Sequence, residues 1–270
     1  LNRLHLYDRN VIGGLLLGCG MALTGACPGT LLVQVASGIS SGLPVLAGGI
    51  FGGILWSRFG HFEKFPPTTS STSQTDSSGG KMEHTFYESS KISSTQTILI
   101  YEIICLSTII TASYLLPDPS GHQRLNPVLG GLLIGGAQAA SLFLNRAPIG
   151  VSTAYERMGQ YICRSTGLSP SDNPAWPSPS PIIFALGMLM GTWCLGKALC
   201  IALAMETTKI SVGRAVVGGA ALIVGARIAG GCTSGHGISG MSALSKTSFV
   251  TVGAMFAGGI GLSGILRLST

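Results

Sequence analysis

Two apolar segments of this chain carry the same interruption in the same register. The first runs from Gly13-Gly14 through LLLGCGMALTGA to Cys27-Pro28-Gly29-Thr30. The second runs from Gly218-Gly219 through AALIVGARIAGG to Cys232-Thr233-Ser234-Gly235-His236. In each, the cysteine follows the first glycine of the pair by 14 residues, so counterparts lie 205 positions apart. An unpaired backbone N–H or C=O costs several kcal/mol in hydrocarbon, so a broken helix survives in a bilayer only where protein or a polar cavity covers the break. The pattern therefore belongs to a membrane protein that interrupts its helices to handle a polar solute.

Composition agrees. Charged residues make up 10% of the 270 positions, against roughly 25% in a soluble domain, and the mean hydropathy is +0.50. The 40 glycines are about twice the usual ~7% share, and small residues let helices approach closely in lipid. Seven cysteines, an odd number with no CxxC, form neither a disulfide framework nor a zinc site. No metal or other cofactor is expected, and nothing points to nucleic acid. The net charge of +6 fits basic loops on one side of a membrane or attraction of an anionic solute.

The reading predicts an all-α polytopic membrane protein: inverted repeats of short broken helices plus full-length spanning ones. Thr97–Leu116 and Ile182–Ala204 are long enough to span, given the roughly 20 residues a helix needs, with Pro117 and Pro181 as boundaries. Val11–Ala26 and Val216–Gly231 are the two cysteine-ended runs, followed by Leu43–Trp56 and Phe249–Leu266. Pro127–Leu144 belongs to the same series through Gly130-Gly131, but Leu144 stands where the others have cysteine. It stops at Asn145-Arg146-Ala147-Pro148, and Ile149–Ala154 follows. Three units do not pair symmetrically. The chain begins at Leu1 rather than Met, and the expectation is one membrane domain over 1–270 with a fourth unit further upstream. Residues 60–96, with nine Ser or Thr between Thr68 and Ser78, are expected to be a disordered loop. Residues 165–181, with four prolines before Pro181, form a second loop.

At a helix break, free N–H groups and the positive end of the helix dipole favour an anion. Pro28 stops one helix, Gly29 permits a tight backbone, and Thr30, Thr233 and Ser234 add hydroxyls beside Gly235. A thiol is soft and polarisable and suits a sulfur-bearing solute better than a hard oxyanion. For Cys19, Cys105, Cys194 and Cys200 the plain reading is a small apolar filler, and Cys163 beside Arg164 reads as a loop-edge residue. Matched positions set Cys27 and Cys232 apart. His236 is either a proton handle or a cap on a loop carbonyl. Arg227 is either functional or a paired, snorkelling side chain, as are Lys197 and Glu102. Arg146 and Glu156 flank the middle break and suit a structural salt bridge.

GACPGT at 25–30, RAPIGVSTAYE at 146–156 and GARIAGGCTSGHGISG at 225–240 resemble the YeeE/YedE sulfur-transport family. The likeness covers nearly all apolar segments but not the Ser/Thr-rich loop. It implies inverted repeats, uptake of thiosulfate, and cysteines at the breaks that contact the anion, which here are Cys27 and Cys232. A further N-terminal cysteine of the family has no counterpart in these 270 residues.

The expectation is a multi-pass transporter or channel for thiosulfate or a similar inorganic sulfur anion, passed between thiols without covalent change. Its partners would be that anion and the lipid bilayer, with room for a soluble sulfur-accepting protein. The alternative is a membrane-embedded sulfurtransferase that takes sulfur as a cysteine persulfide. No carboxylate or second base stands at nucleophile spacing, which favours transport. A purely structural membrane subunit would leave the matched cysteines unexplained.

Overall fold

The computed structural model describes residues 4–59, 93–115, 127–145, 150–167, 176–198 and 210–268. Among these, all regular structure is helical: α1 (Leu4–Thr24), α2 (Pro28–Ala36), α3 (Gly42–Phe59), α4 (Ser94–Leu115), α5 (Pro127–Asn145), α6 (Ser152–Ser165), α7 (Ser180–Ala198), α8 (Val212–Ala229), a π-helical turn (Ser234–Gly240) and α9 (Lys246–Leu268).

Glycine sets the packing. A Cβ on Gly13 would stand 2.4 Å from the Ala229 nitrogen, one on Gly225 2.5 Å from that of Leu17, and one on Gly20 2.7 Å from that of Leu222. One on Gly218 would stand 2.6 Å from Thr24 Cγ2. The α1 numbers rise as the α8 numbers fall, so the two helices are antiparallel. The register is also self-consistent. Moving Gly13–Ala229 by the repeat interval of 205 gives Gly218–Thr24, and moving Leu17–Gly225 gives Leu222–Gly20. Both pairs are observed, which defines a twofold axis perpendicular to α1 and α8.

The flanking helices obey the same operation. Gly14 meets Thr251 and Ala254 of α9, and Gly18 meets Met255 and Gly259, so α1 and α9 run parallel. Gly219 meets Val45 and Gly49 of α3, while Gly48 and Gly52 meet Val216 and Ala220, again parallel. The core is thus an inverted repeat, α1–α2–α3 against α8–π turn–α9. Leu17, Leu222 and Ile223 lie fully buried along its seam.

The middle unit packs unevenly. α6 lies on α3, α7 and α8 through Ser152, Tyr155, Gly159 and Cys163 on one face. Among the described residues, a Cβ on Gly130, Gly131, Gly135 or Gly136 of α5 would meet nothing within 4 Å. Gln138 of α5 does reach the π turn, donating to Ser239 Oγ at 2.8 Å. On α4, Ile98, Leu99, Ile103 and Ile104 are exposed, as a lipid-facing helix requires.

Several expectations change. Among the described residues, four stretches are long and apolar enough to cross a membrane: Tyr7–Ala36, Ser180–Ala198, Val212–Ala229 and Lys246–Leu268. By length and composition, the broken runs and the helix after the second cysteine are thus candidate spans too. The expected span at Thr97–Leu116 falls on α4, which runs Ser94–Leu115. Where Ile149–Ala154 was expected to be short, α6 extends to Ser165 and buries Cys163, which is no loop-edge residue.

The Ser/Thr-rich loop gives way to α4 at Ser94, and 60–92 lie outside the described residues. Of the Pro-rich loop, 168–175 lie outside as well; Ser165 ends α6, Ser180 and Pro181 open α7, and Tyr161 stacks on Trp176 at 5.8 Å. Arg146 and Cys200 are also outside the described residues.

Candidate functional site

Each repeat helix ends in a left-handed glycine. Gly25 (φ +65°) closes α1 and Gly230 (φ +83°) closes α8, and these two are also 205 apart. Only glycine adopts this conformation without the Cβ clash that an L residue suffers. In both breaks the cysteine comes two residues later.

Cys27 is the N-cap of α2. Its sulfur accepts from the Thr30 N–H at 3.4 Å and lies 3.3 Å from Thr30 Oγ1, while its own N–H donates to Thr30 Oγ1 at 2.8 Å. This is a capping box with a thiol in the usual serine place. Pro28 occupies the first helical position, where its missing N–H costs nothing. A Cβ at Gly29 would stand 3.9 Å from the Cys27 sulfur and 4.0 Å from Val151 Cγ2. The glycine thus keeps the space between the first and middle breaks open.

Cys232 is buried, and its sulfur lies 3.1 Å from Ser234 Oγ. Thr233 Oγ1 is buried without a hydrogen-bond partner. The cysteines Cys19, Cys105 and Cys194 fall elsewhere, at positions between half-buried and exposed.

His236 resolves as a cap. Nε2 lies 3.2 Å from the Ala229 carbonyl and Nδ1 lies 3.1 Å from Ser248 Oγ. A carbonyl only accepts, so Nε2 carries the proton and Nδ1 accepts from the serine. The imidazole closes the open C-terminus of α8.

Arg227 forms an ion pair, through Nη1, with Glu156 Oε2 on α6, and Nη2 donates to Ser152 Oγ at 2.9 Å. Glu156 thus pairs with Arg227; Arg146, the partner the sequence suggested, lies outside the described residues. Lys197 lies in the last turn of α7, and Glu102 is exposed on α4.

The structure adds residues that the sequence left unremarked. Tyr155 is fully buried and donates to the carbonyl of Pro28, the residue after Cys27, at 2.8 Å. Ser152 begins α6 and accepts from Arg227 of α8. The middle unit thus brings Tyr155 against the first cysteine break and Ser152 against the helix that leads to the second. The signal lay in RAPIGVSTAYE, where a proline-stopped helix restarts on a small hydroxyl residue.

Apolar helices packed as an inverted repeat, two of them interrupted at matched cysteines, are the build of a multi-pass membrane transporter. The chain belongs to the sulphur transport family, whose profile matches residues 3–261. Two curated relatives agree, each named "Probable transporter": one from Xylella fastidiosa strain Temecula1 at 31% identity, one from strain 9a5c at 30%. Each alignment spans 134 residues, 50% of this chain and 88% of the relative. Each alignment thus covers nearly the whole relative and half of this chain.

Proposed function

We propose that this transporter carries thiosulfate or a closely related sulfur anion along a path marked by Cys27 and Cys232. The supporting observation is the matched pair of breaks, each a left-handed glycine followed two residues later by cysteine, with Tyr155 holding the Pro28 carbonyl at the first. The first-turn N–H groups of a helix lack intrahelical acceptors and favour negative charge. Thr30 offers N–H and O–H at Cys27, and Ser234 offers its hydroxyl at Cys232. Pro28 and Gly29 hold the first break open, and Thr233 and His236 shape the second.

The anion moves from one thiol to the other by S–H···S and S–H···O hydrogen bonds without covalent change. Such contacts are weak enough for release, which conduction requires. A soluble sulfur-accepting protein would collect the anion on release. Arg227 does not act as a free attractive charge, because Glu156 neutralises it.

The test is uptake of labelled thiosulfate into proteoliposomes. Cys27→Ala and Cys232→Ala should each abolish it, and undiminished flux in both would refute the path. A gain of one sulfur on either cysteine during turnover would instead indicate persulfide chemistry.

A further inference from the structure

A groove of about 410 Å³ lies between α1 and α9, walled by Met21, Met255, Phe256 and Ile260 and ending on Ser263 and Arg267. We propose that it holds one acyl chain of an anionic phospholipid, with the headgroup phosphate on Arg267. This lipid site does not depend on which solute the transporter carries.

The spacing of the lining residues sets the shape. Phe256, Ile260, Ser263 and Arg267 follow one another at helical intervals of three or four residues, so they share one face of α9. Phe256 and Ile260 are 67% and 71% exposed, as side chains that face lipid are. From Met255 to Arg267 the helix rises about 18 Å at ~1.5 Å per residue. One leaflet of hydrocarbon is about 15 Å deep, half of the roughly 30 Å core. The apolar groove is therefore one leaflet deep, with its charge in the last turn of α9, at headgroup level.

The charge at that end selects an anion. Arg214, exposed in the first turn of α8, donates to the Ala22 carbonyl of α1 at 3.2 Å. α8 runs antiparallel to α1 and α9 runs parallel to it, so the start of α8 and the end of α9 lie at the same end of the bundle. Two guanidiniums stand there, and among the described residues no carboxylate pairs with either. A guanidinium fork matches the oxygens of a phosphate.

The other repeat shows why the occupant is a lipid chain and not a helix. Gly18 meets the Met255 oxygen and the Gly259 nitrogen as Gly219 meets the Val45 oxygen and the Gly49 nitrogen, so Gly259 is the counterpart of Gly49. On α3 this face is filled by α6, which comes close because Gly53 has no side chain: a Cβ there would stand 2.4 Å from the Tyr155 oxygen. Four residues beyond Gly259, α9 carries Ser263 at the place of Gly53. Its side chain bars so close an approach by a helix, whereas a flexible acyl chain passes beside it.

The test uses the full chain in nanodiscs of equal parts phosphatidylglycerol and phosphatidylcholine. A trace of one lipid or the other carries a photoreactive diazirine on an acyl chain, and mass spectrometry of the illuminated protein locates the label. Labelling should fall on Met21 and on α9 between Met255 and Gly264. Phosphatidylglycerol should label about fivefold more than phosphatidylcholine, the preference that one basic residue at a membrane surface gives. Arg267→Gln should bring the two lipids level. Gly264→Leu should reduce labelling by both, since a Cβ there meets nothing within 4 Å among the described residues and the new side chain fills the groove.

Equal labelling by the two lipids in the native protein, a preference that survives Arg267→Gln, or labelling undiminished by Gly264→Leu overturns the proposal. So does a groove that takes no label, the result expected where a second copy or another helix covers it. Arg267 is exposed, so its substitution decides the matter even if Gly264→Leu does not fold.

Discussion

Gly13 lies against the main chain of Ala229 with no room between them, since a Cβ at Gly13 would stand 2.4 Å from the Ala229 nitrogen. The contact repeats, by the same twofold operation, as Gly218 on Thr24. Ala229 carries the carbonyl that His236 caps and stands three residues before Cys232. The α1–α8 contact therefore fixes the height of the second break as well as the helix spacing.

Gly13→Ala and Gly218→Ala should each force the seam apart. Overpacking of this kind costs about 1–3 kcal/mol. Thermal unfolding in detergent should show both variants destabilised. Gly130→Ala and Gly131→Ala in the matching unit should be neutral or slightly stabilising, because a Cβ there meets nothing among the described residues and alanine favours the helix. Equal losses at all four positions would count against the packing described for the repeat.

The two roles of Cys27 can be separated by chemistry. As N-cap it accepts from Thr30, and serine does this at least as well. Cys27→Ser should therefore hold the stability of the native chain, whereas Cys27→Ala should lose about 1 kcal/mol. Both should lose thiosulfate uptake, since neither supplies a soft sulfur. A serine variant that transports normally would reduce Cys27 to a cap.

Much of this arrangement could be read from residue order alone, and the reasons are physical. Cysteine matched at Gly-Gly plus 14 identified the repeat because two interrupted apolar runs in one register reflect a shared backbone requirement. The left-handed turns at Gly25 and Gly230 then follow from that register. The role of Tyr155 was not legible, because its partner, the Pro28 carbonyl, is brought to it by tertiary packing. Glu156 drew attention, but sequence proximity favoured Arg146, whereas the packing of α6 on α8 gave it Arg227. The run read as Phe249–Leu266 extends at both ends, as α9 spans Lys246–Leu268, and its Gly258 lets it pack closely on Leu15 of α1.

Tyr155 should be sensitive in two distinct ways. Tyr155→Phe removes the hydrogen bond to the Pro28 carbonyl and keeps the ring, so stability should fall by about 1 kcal/mol. Uptake should fall more, because the first residue of α2 is then no longer tied to α6. Tyr155→Ala opens a cavity at a fully buried site and should cost about 3–5 kcal/mol. Uptake rates normalised to folded protein separate the two effects. A phenylalanine variant with native flux would confine the tyrosine to packing.

His236 gives the sharpest contrast between a proton carrier and a cap. Its Nε2 donates to the Ala229 carbonyl and its Nδ1 accepts from Ser248. Glutamine offers one donor and one acceptor on a side chain of similar reach and cannot titrate. His236→Gln should therefore fold and retain most of its uptake, with an unchanged pH profile. His236→Leu leaves the Ala229 carbonyl and the Ser248 hydroxyl without partners, at about 1–3 kcal/mol for each buried group. It should unfold at markedly lower temperature and lose transport through the collapse of the second break. If glutamine abolished uptake while preserving thermal stability, the imidazole would have to move a proton, and its place as a cap on α8 would be secondary.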